Sequence, residues 1–209
     1  MENPLVKLVP QLFGKYPKPF IKLIENVPLS PGQDSEEQAK TLWKAYEFGF
    51  RYHDGQKRLS GKPYFSHCLA VANTLASWKM DTSTVIAGLL HDTVEDTDAT
   101  IEQITENFGE DLAGLVDGLT KISEISYSSR KEKQAGNFMK MLLSVAQDMR
   151  VIIIKFADRL HNMETLRHMT QIKRHRIAVE TRDIYVPLAH RLGMSSVKSQ
   201  LEDLVFTVL

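Results

Sequence analysis

The sequence has one cysteine, Cys68, so no disulfide can form within the chain. A reducing compartment fits that economy, and a cytoplasmic location is the expectation. There is no excess of charge: 26 Lys+Arg meet 26 Asp+Glu, a formal net charge of +0. Bulk electrostatic binding to nucleic acid or to an anionic membrane is therefore not expected. No apolar run is long enough to span a bilayer, and "MENPLVKLVPQLFGKYPKPF" lacks the core of a signal peptide. Internal repeats and low-complexity tracts are also missing. What remains is an ordinary globular composition, 43% hydrophobic and 25% charged over 209 residues. That length suits one domain, with or without a small appendage.

Proline is unevenly spread. Pro4, Pro10, Pro17, Pro19, Pro28 and Pro31 crowd residues 1–34, which read as an N-terminal arm or short helix before a loop. Residues 35–209 read as the main domain. Ser35 and Gln38 have capping-box spacing, and Ala39, Leu42, Trp43, Tyr46 and Phe50 follow at helical period. "GQKRLSGKP" is a loop, and a helix is expected from Tyr64 to Lys79. Thr82 or Ser83 is placed to cap the next helix, and Thr100 with Gln103 forms a second capping box. Leu112, Leu115, Val116, Leu119 and Ile122 continue the apolar pattern. Ser123 to Gly136 is polar and reads as a loop; Lys121, Arg130, Lys131 and Lys133 along it read as a solvated charge run. Phe138, Met139, Leu142, Leu143 and Ala146 return to helix.

"RVIIIKFADRLHNMETL" is locally ambiguous, because its β-branched run favours strand. Ile154, Ala157, Leu160 and Met163 keep a helical period, so helix is the expectation. Two more helices follow, about 173–191 with a kink at Pro187, and 196–208. The fold class is all-α, with about nine to eleven helices by pattern.

Three segments carry histidine or aspartate that patterning does not require. His67 opens a helix among small apolar residues; it suits a buried hydrogen-bonded histidine or a ligand. His91-Asp92 follows Leu89-Leu90, with Glu95 and Asp96 one turn on. An exposed acidic helix end is the plain alternative, but acids are unfavourable near a helix C-terminus, and clustered carboxylates call for a cation. Asp158, Asn162 and Thr165 form a polar stripe at i, i+4 and i+7, although Asp158 could also pair with Arg159 or Arg191. Two imidazoles and two carboxylates would make a mixed nitrogen and oxygen site for manganese, iron or zinc, and the lack of cysteine ligands argues against structural zinc. An ion there activates water near neutral pH, and Glu95 and Asp96 stand one turn past the ligands to orient or deprotonate it. Lys57, Arg58 and Lys62 lie just before His67, on a basic loop suited to phosphates or to plain solvation.

The order His…His-Asp…Asp resembles the signature of HD-domain metal phosphohydrolases. "RLSGKPYFSH", "GLLHDTVEDT", "LVDGLTKI", "IIKFADRLHNMETL" and "YVPLAHRLGM" are similar, in that order, to the hydrolase domain of the RelA/SpoT homologue family. The resemblance covers residues 35–209. It implies an HD-type helical bundle and a Mn²⁺ ion held by His67, His91, Asp92 and Asp158. It implies that Glu95 and Asp96 activate water. It implies that Arg58, Ser60, Asn162 and Thr165 hold a guanine nucleotide alarmone, with Tyr185 in the same pocket; the basic loop adds Lys62 as a donor for its phosphates. The implied reaction removes the ribose 3′-pyrophosphate of (p)ppGpp. An HD hydrolase of another nucleotide, such as NADPH, and a non-catalytic regulatory module are the alternatives. Leu59, Cys68, Met139 and Glu164 depart from the residues common in the family. Long members continue into a synthetase, so the chain is expected to be a standalone small hydrolase or part of such an enzyme. Homo-oligomerisation is left open.

Overall fold

The computed structural model describes Leu5 and residues 17–30, 32, 34–123 and 148–209. Among the described residues all regular structure is helical, apart from one antiparallel bridge between Lys57 and Pro63. The chain divides into two compact units, Met1–Thr120 and Lys121–Leu209.

In the first unit, α1 (Lys18–Asn26) falls within the expected N-terminal arm. Pro17 and Pro19 suit its start, where a missing N–H costs nothing. It buries Phe20, Leu23 and Ile24. Phe20 sets its ring edge-on to Trp43 (4.8 Å) and Tyr46 (5.2 Å) of α2 (Ser35–Tyr52). Tyr46 in turn meets Phe65 edge-on at 5.1 Å, at the first residue of α3 (Phe65–Ser77). This aromatic chain fixes the turn of α3 that carries His67.

The first cap differs from the expectation. Asp34, not Ser35, caps α2 by accepting from the Glu36 N–H. Gln38 is freed from capping and lies buried. Its Nε2 donates to Pro28 O and Thr82 Oγ1, and its Oε1 accepts from the Ser30 N–H. The apolar stripe also turns more than expected: Phe48 and Gly49 are buried, while Phe50 is half exposed.

α4 (Thr82–Leu90) is almost wholly buried, from Val85 to Leu90 without a gap. Its cap is Asp81, whose side chain accepts from both the Thr84 N–H and the Thr84 hydroxyl. The expected Thr82 and Ser83 sit one and two residues too late. Gly88 makes close approach to α3 workable: a Cβ there would stand 2.5 Å from Leu75 Cδ1. α5 (Thr93–Asp96) and α6 (Ile101–Phe108) follow, α6 opened by the Thr100 and Gln103 capping box as expected. α7 is Glu110–Ser123.

In the second unit, α8 (Met149–Glu164) is helix despite its β-branched run, burying Val151, Ile152, Ile154, Ala157, Leu160 and Met163. Packing of that face overrides local propensity. Leu166–His168 is a 3-10 turn, followed by α9 (Gln171–Glu180). The kink expected near Pro187 is a π turn over Thr181–Tyr185, with the Val186 N–H reaching back to Thr181 O, before α10 (Val186–Arg191). Pro187 has no N–H to continue the regular ladder, and the wider turn absorbs the loss. α11 is Ser195–Phe206. No described helix is long and apolar enough to cross a membrane. The loop and helix expected over 124–147, with Arg130, Lys131, Lys133 and Met139, lie outside the described residues.

Candidate functional site

The helix carrying the HD pair does not run straight through it. α4 stops at Leu90, and His91 and Asp92 form a turn before α5. His91 Nδ1 lies 2.9 Å from Gly88 O, one turn back. That carbonyl belongs to the helix end, where main-chain donors run out, and the imidazole supplies one. With its Nδ1 turned to Gly88 O, His91 brings Nε2 to 3.0 Å from Asp92 Oδ2. His67, in the first turn of α3, brings its Nε2 to 3.5 Å from the same oxygen. Both imidazoles are buried.

Two nitrogens and a carboxylate oxygen thus converge in a region shielded from water. Such a set needs a cation between its lone pairs, either a proton or a metal. Burial alone would raise the Asp92 carboxyl, but the charge and hydrogen bonds of His91 and His67 outweigh it and hold the group well below its ordinary value. Ligand atoms about 2.0–2.2 Å from a divalent ion lie roughly 3 Å from one another, so the spacing fits one ion. Imidazole with carboxylate suits a divalent metal of borderline hardness. Cys68 also brings a ligand atom within 4.8 Å of those of His91 and Asp92, but its thiol faces His53 Nε2 at 3.7 Å.

Around this centre the loop after α2 is tightly folded. The Gly61 N–H donates to Arg58 O and the Arg58 N–H to Lys62 O, closing a turn that holds Ser60. Gly61 has φ +79°, a conformation that favours glycine. Lys62 is exposed. The Arg58 guanidinium stands 5.7 Å from the centroid of the Tyr64 ring, which stacks on His53 at 5.0 Å. Gln56 ties the loop down: its Nε2 donates to Asp96 O at 2.7 Å, so its Oε1 accepts from His53 Nδ1 at 2.8 Å. That fixes the His53 proton on Nδ1 and leaves Nε2 to accept from Cys68. Burial lowers the His53 pKa and favours this neutral form.

Tyr64 is the residue that sequence reasoning missed. Its hydroxyl lies 2.9 Å from Asp92 Oδ2 and 2.6 Å from Asp96 Oδ2. Burial first, then the Asp92 and Asp96 carboxylates, raise the phenol well above an ordinary tyrosine, so it stays a donor. The signal was its place three residues before His67, at the expected start of that helix. Of the two expected acids, Asp96 is therefore linked to the centre through Tyr64. Glu95 is exposed on the same short helix.

In the second unit, Asp158 sits mid-way along α8, and Asn162 Nδ2 donates to its Oδ1 at 2.5 Å. Thr165 caps the helix, and its hydroxyl donates to His161 O at 2.8 Å. Arg159, one candidate partner for Asp158, reaches Glu180 Oε1 at 3.4 Å and lies 4.0 Å from the centroid of the Tyr185 ring. Tyr185 is buried against that guanidinium. Three of the four expected ligands are thus described in the first unit, and Asp158 with Asn162 and Thr165 in the second.

Comparison with known proteins agrees with this motif. A GTP pyrophosphokinase of Myxococcus xanthus is 55% identical over 166 residues, 78% of this chain and 22% of that protein. The bifunctional (p)ppGpp synthase/hydrolase SpoT of Escherichia coli K12 is 49% identical over 174 residues, 83% of this chain and 25% of its own length. This chain thus spans about a quarter of the length of these curated relatives. A solved metazoan ortholog of SpoT, described as hydrolysing ppGpp, superposes with a TM-score of 0.67 at 26% identity, covering 81% of this chain and 97% of that one. The HD domain model matches residues 45–195, most of the chain, and spans the His67, His91-Asp92 and Asp158 segments alike. The chain belongs to the HD-domain family.

Proposed function

We propose that this chain is a Mn²⁺-dependent hydrolase of the ribose 3′-pyrophosphate of (p)ppGpp, yielding GDP or GTP and pyrophosphate. The observation that carries the reading is the meeting of His91 Nε2 and His67 Nε2 at Asp92 Oδ2. The substrate class comes from the relatives: SpoT of Escherichia coli and the metazoan ortholog are both described as acting on (p)ppGpp. Asp158 supplies the fourth ligand on this reading, oriented by Asn162 as ligand carboxylates are commonly held by a hydrogen bond. Manganese is chosen because carboxylate oxygens share the site with imidazoles.

When bound, such an ion polarises the phosphoryl oxygens and makes hydroxide accessible near neutral pH. The chain's residues do the rest. Arg58, Ser60 and Lys62 hold phosphate on the turn before α3, and the flat Arg58 guanidinium can also stack on the base. Asn162, Thr165 and Tyr185 contribute to the nucleotide pocket. Glu95 and Asp96 take the proton of the attacking water. The water oxygen bonds to the phosphorus on the 3′ oxygen, that P–O bond breaks, and a proton passes to the departing 3′ oxygen. Pyrophosphate and a free 3′-hydroxyl result.

Pyrophosphate release from ppGpp, with and without Mn²⁺, tests this. Release that requires Mn²⁺ supports it. No release, with turnover of another nucleotide such as NADPH, transfers the site to a different substrate.

A further inference from the structure

The phenol of Tyr64 stands between two carboxylates, one from each tier of the proposed chemistry. It is 2.6 Å from Asp96 and 2.9 Å from Asp92. A phenol has a single hydrogen and can fully satisfy one of them. Asp92 already faces His91 and His67 with the same oxygen, and its lone pair is the one a cation takes. The hydrogen therefore goes to Asp96, the shorter contact.

The rest of the local structure holds that phenol still. The ring stacks on buried His53, and Arg58 lies over it. The Tyr64 N–H donates to Gln56 O, and Gln56 also grips the main chain of Asp96. Ring and acid are thus tied to one loop by side chain and backbone. Asp96, exposed on a helix of only four residues, would otherwise sample several rotamers.

We propose that Tyr64 is a positioning residue, donating its phenolic hydrogen to Asp96 so that this carboxylate is held beside Asp92 in one rotamer. Its hydroxyl meets the two carboxylates, and it acts through Asp96. This rests on the hydrolytic reading above.

The test is a double-mutant cycle in the full chain: wild type, Tyr64→Phe, Asp96→Asn and the pair, read as pyrophosphate release from ppGpp at saturating Mn²⁺. Tyr64→Phe keeps the ring, and a thermal melt checks that the fold is retained. Loss of an outer hydrogen bond of this kind is expected to lower kcat about tenfold with KM little changed. In the Asp96→Asn background the same change should cost less than about twofold, because coupled residues are not additive. An unchanged kcat for Tyr64→Phe overturns the inference, and so do losses that multiply in the pair, or a change in KM alone. A wild-type chain that releases no pyrophosphate removes the hydrolytic reading itself, a different result from an active wild type matched by Tyr64→Phe.

Discussion

The two aspartates of this chain's motif are presented in different ways, Asp92 in the turn after α4 and Asp158 along α8. α4 is buried along nearly its whole length and breaks at His91-Asp92, so the proposed ligands sit at a corner. α8 runs unbroken through Asp158 and holds it on its own flank. At the corner, Asp92 gathers partners from elsewhere in the chain: His67 from α3 and Tyr64 from the preceding loop. On the flank, Asp158 is met by Asn162, one turn along the same helix. A corner collects ligands from several elements and depends on how they pack. A flank carries its orienting partner in its own sequence, at i+4.

Asp92→Ala should have the largest effect. It removes the oxygen on which both imidazoles converge, and Mn²⁺ binding and hydrolysis should be abolished together. Asp158→Ala should weaken Mn²⁺ binding while the corner itself stays formed. Isothermal titration with Mn²⁺, alongside pyrophosphate release, compares the two. Equal, full retention of Mn²⁺ in the Asp158 variant would remove that residue from the ligand set.

Glu95→Ala should separate ligands from acid–base groups. Mn²⁺ affinity should stay near wild type while turnover falls, on the order of 10²–10⁴ for a positioned proton acceptor. A rate near wild type would mean that Glu95 has no part in activating water.

The packing behind the corner gives the next effect. Gly88→Ala pushes a Cβ to 2.5 Å from Leu75 Cδ1, so this fully buried side chain between α3 and α4 must shift. Overpacking of this kind costs about 1–3 kcal/mol, partly offset by the gain in helix propensity. The same change at Gly114 meets nothing within 4 Å and should stabilise instead, by about 0.5–1 kcal/mol. Urea unfolding distinguishes the signs. Only Gly88→Ala should also weaken Mn²⁺ binding, since α3 carries His67 and α4 leads to His91.

What was legible in the sequence follows from which interactions are local. The Thr100 and Gln103 box and the polar stripe of α8 depend on residues three and four apart, and both were read correctly. The helical state of α8 was readable because its apolar period outlasts its β-branched run. The break at His91 was not, because it depends on an imidazole taking a helix-end carbonyl, and a straight helix has the same spacing. Tyr64 was invisible for a related reason: its partners lie 28 and 32 residues away. Phe50 was placed inward because one stripe was continued for too long, whereas Phe48 and Gly49 take the buried positions.

α4 and α8 both begin on an aspartate cap, and losing either cap should have a small effect. Asp81 accepts from the Thr84 N–H, and Asp148 from the Arg150 N–H. Asp148 is gripped as well by its neighbour's guanidinium, with Arg150 Nη2 at 2.6 Å and Nε at 2.9 Å from Oδ2. Replacing either cap with alanine should cost about 0.5–2 kcal/mol at pH 7. The side-chain hydrogen bond from Arg150 lowers the folded pKa of Asp148. A lowered folded pKa means that the unfolded chain binds the proton more readily, so the stabilisation is present above the ordinary aspartate value of about 3.9 and is lost as pH falls through the folded value. The gap between wild type and Asp148→Ala should therefore be full at pH 7 and shrink on acidification towards about pH 3. Urea unfolding at the two pH values measures it. A gap that stays constant would mean that Asp148 stabilises α8 by its shape and backbone conformation, and that its charge and the Arg150 grip add nothing to the cap.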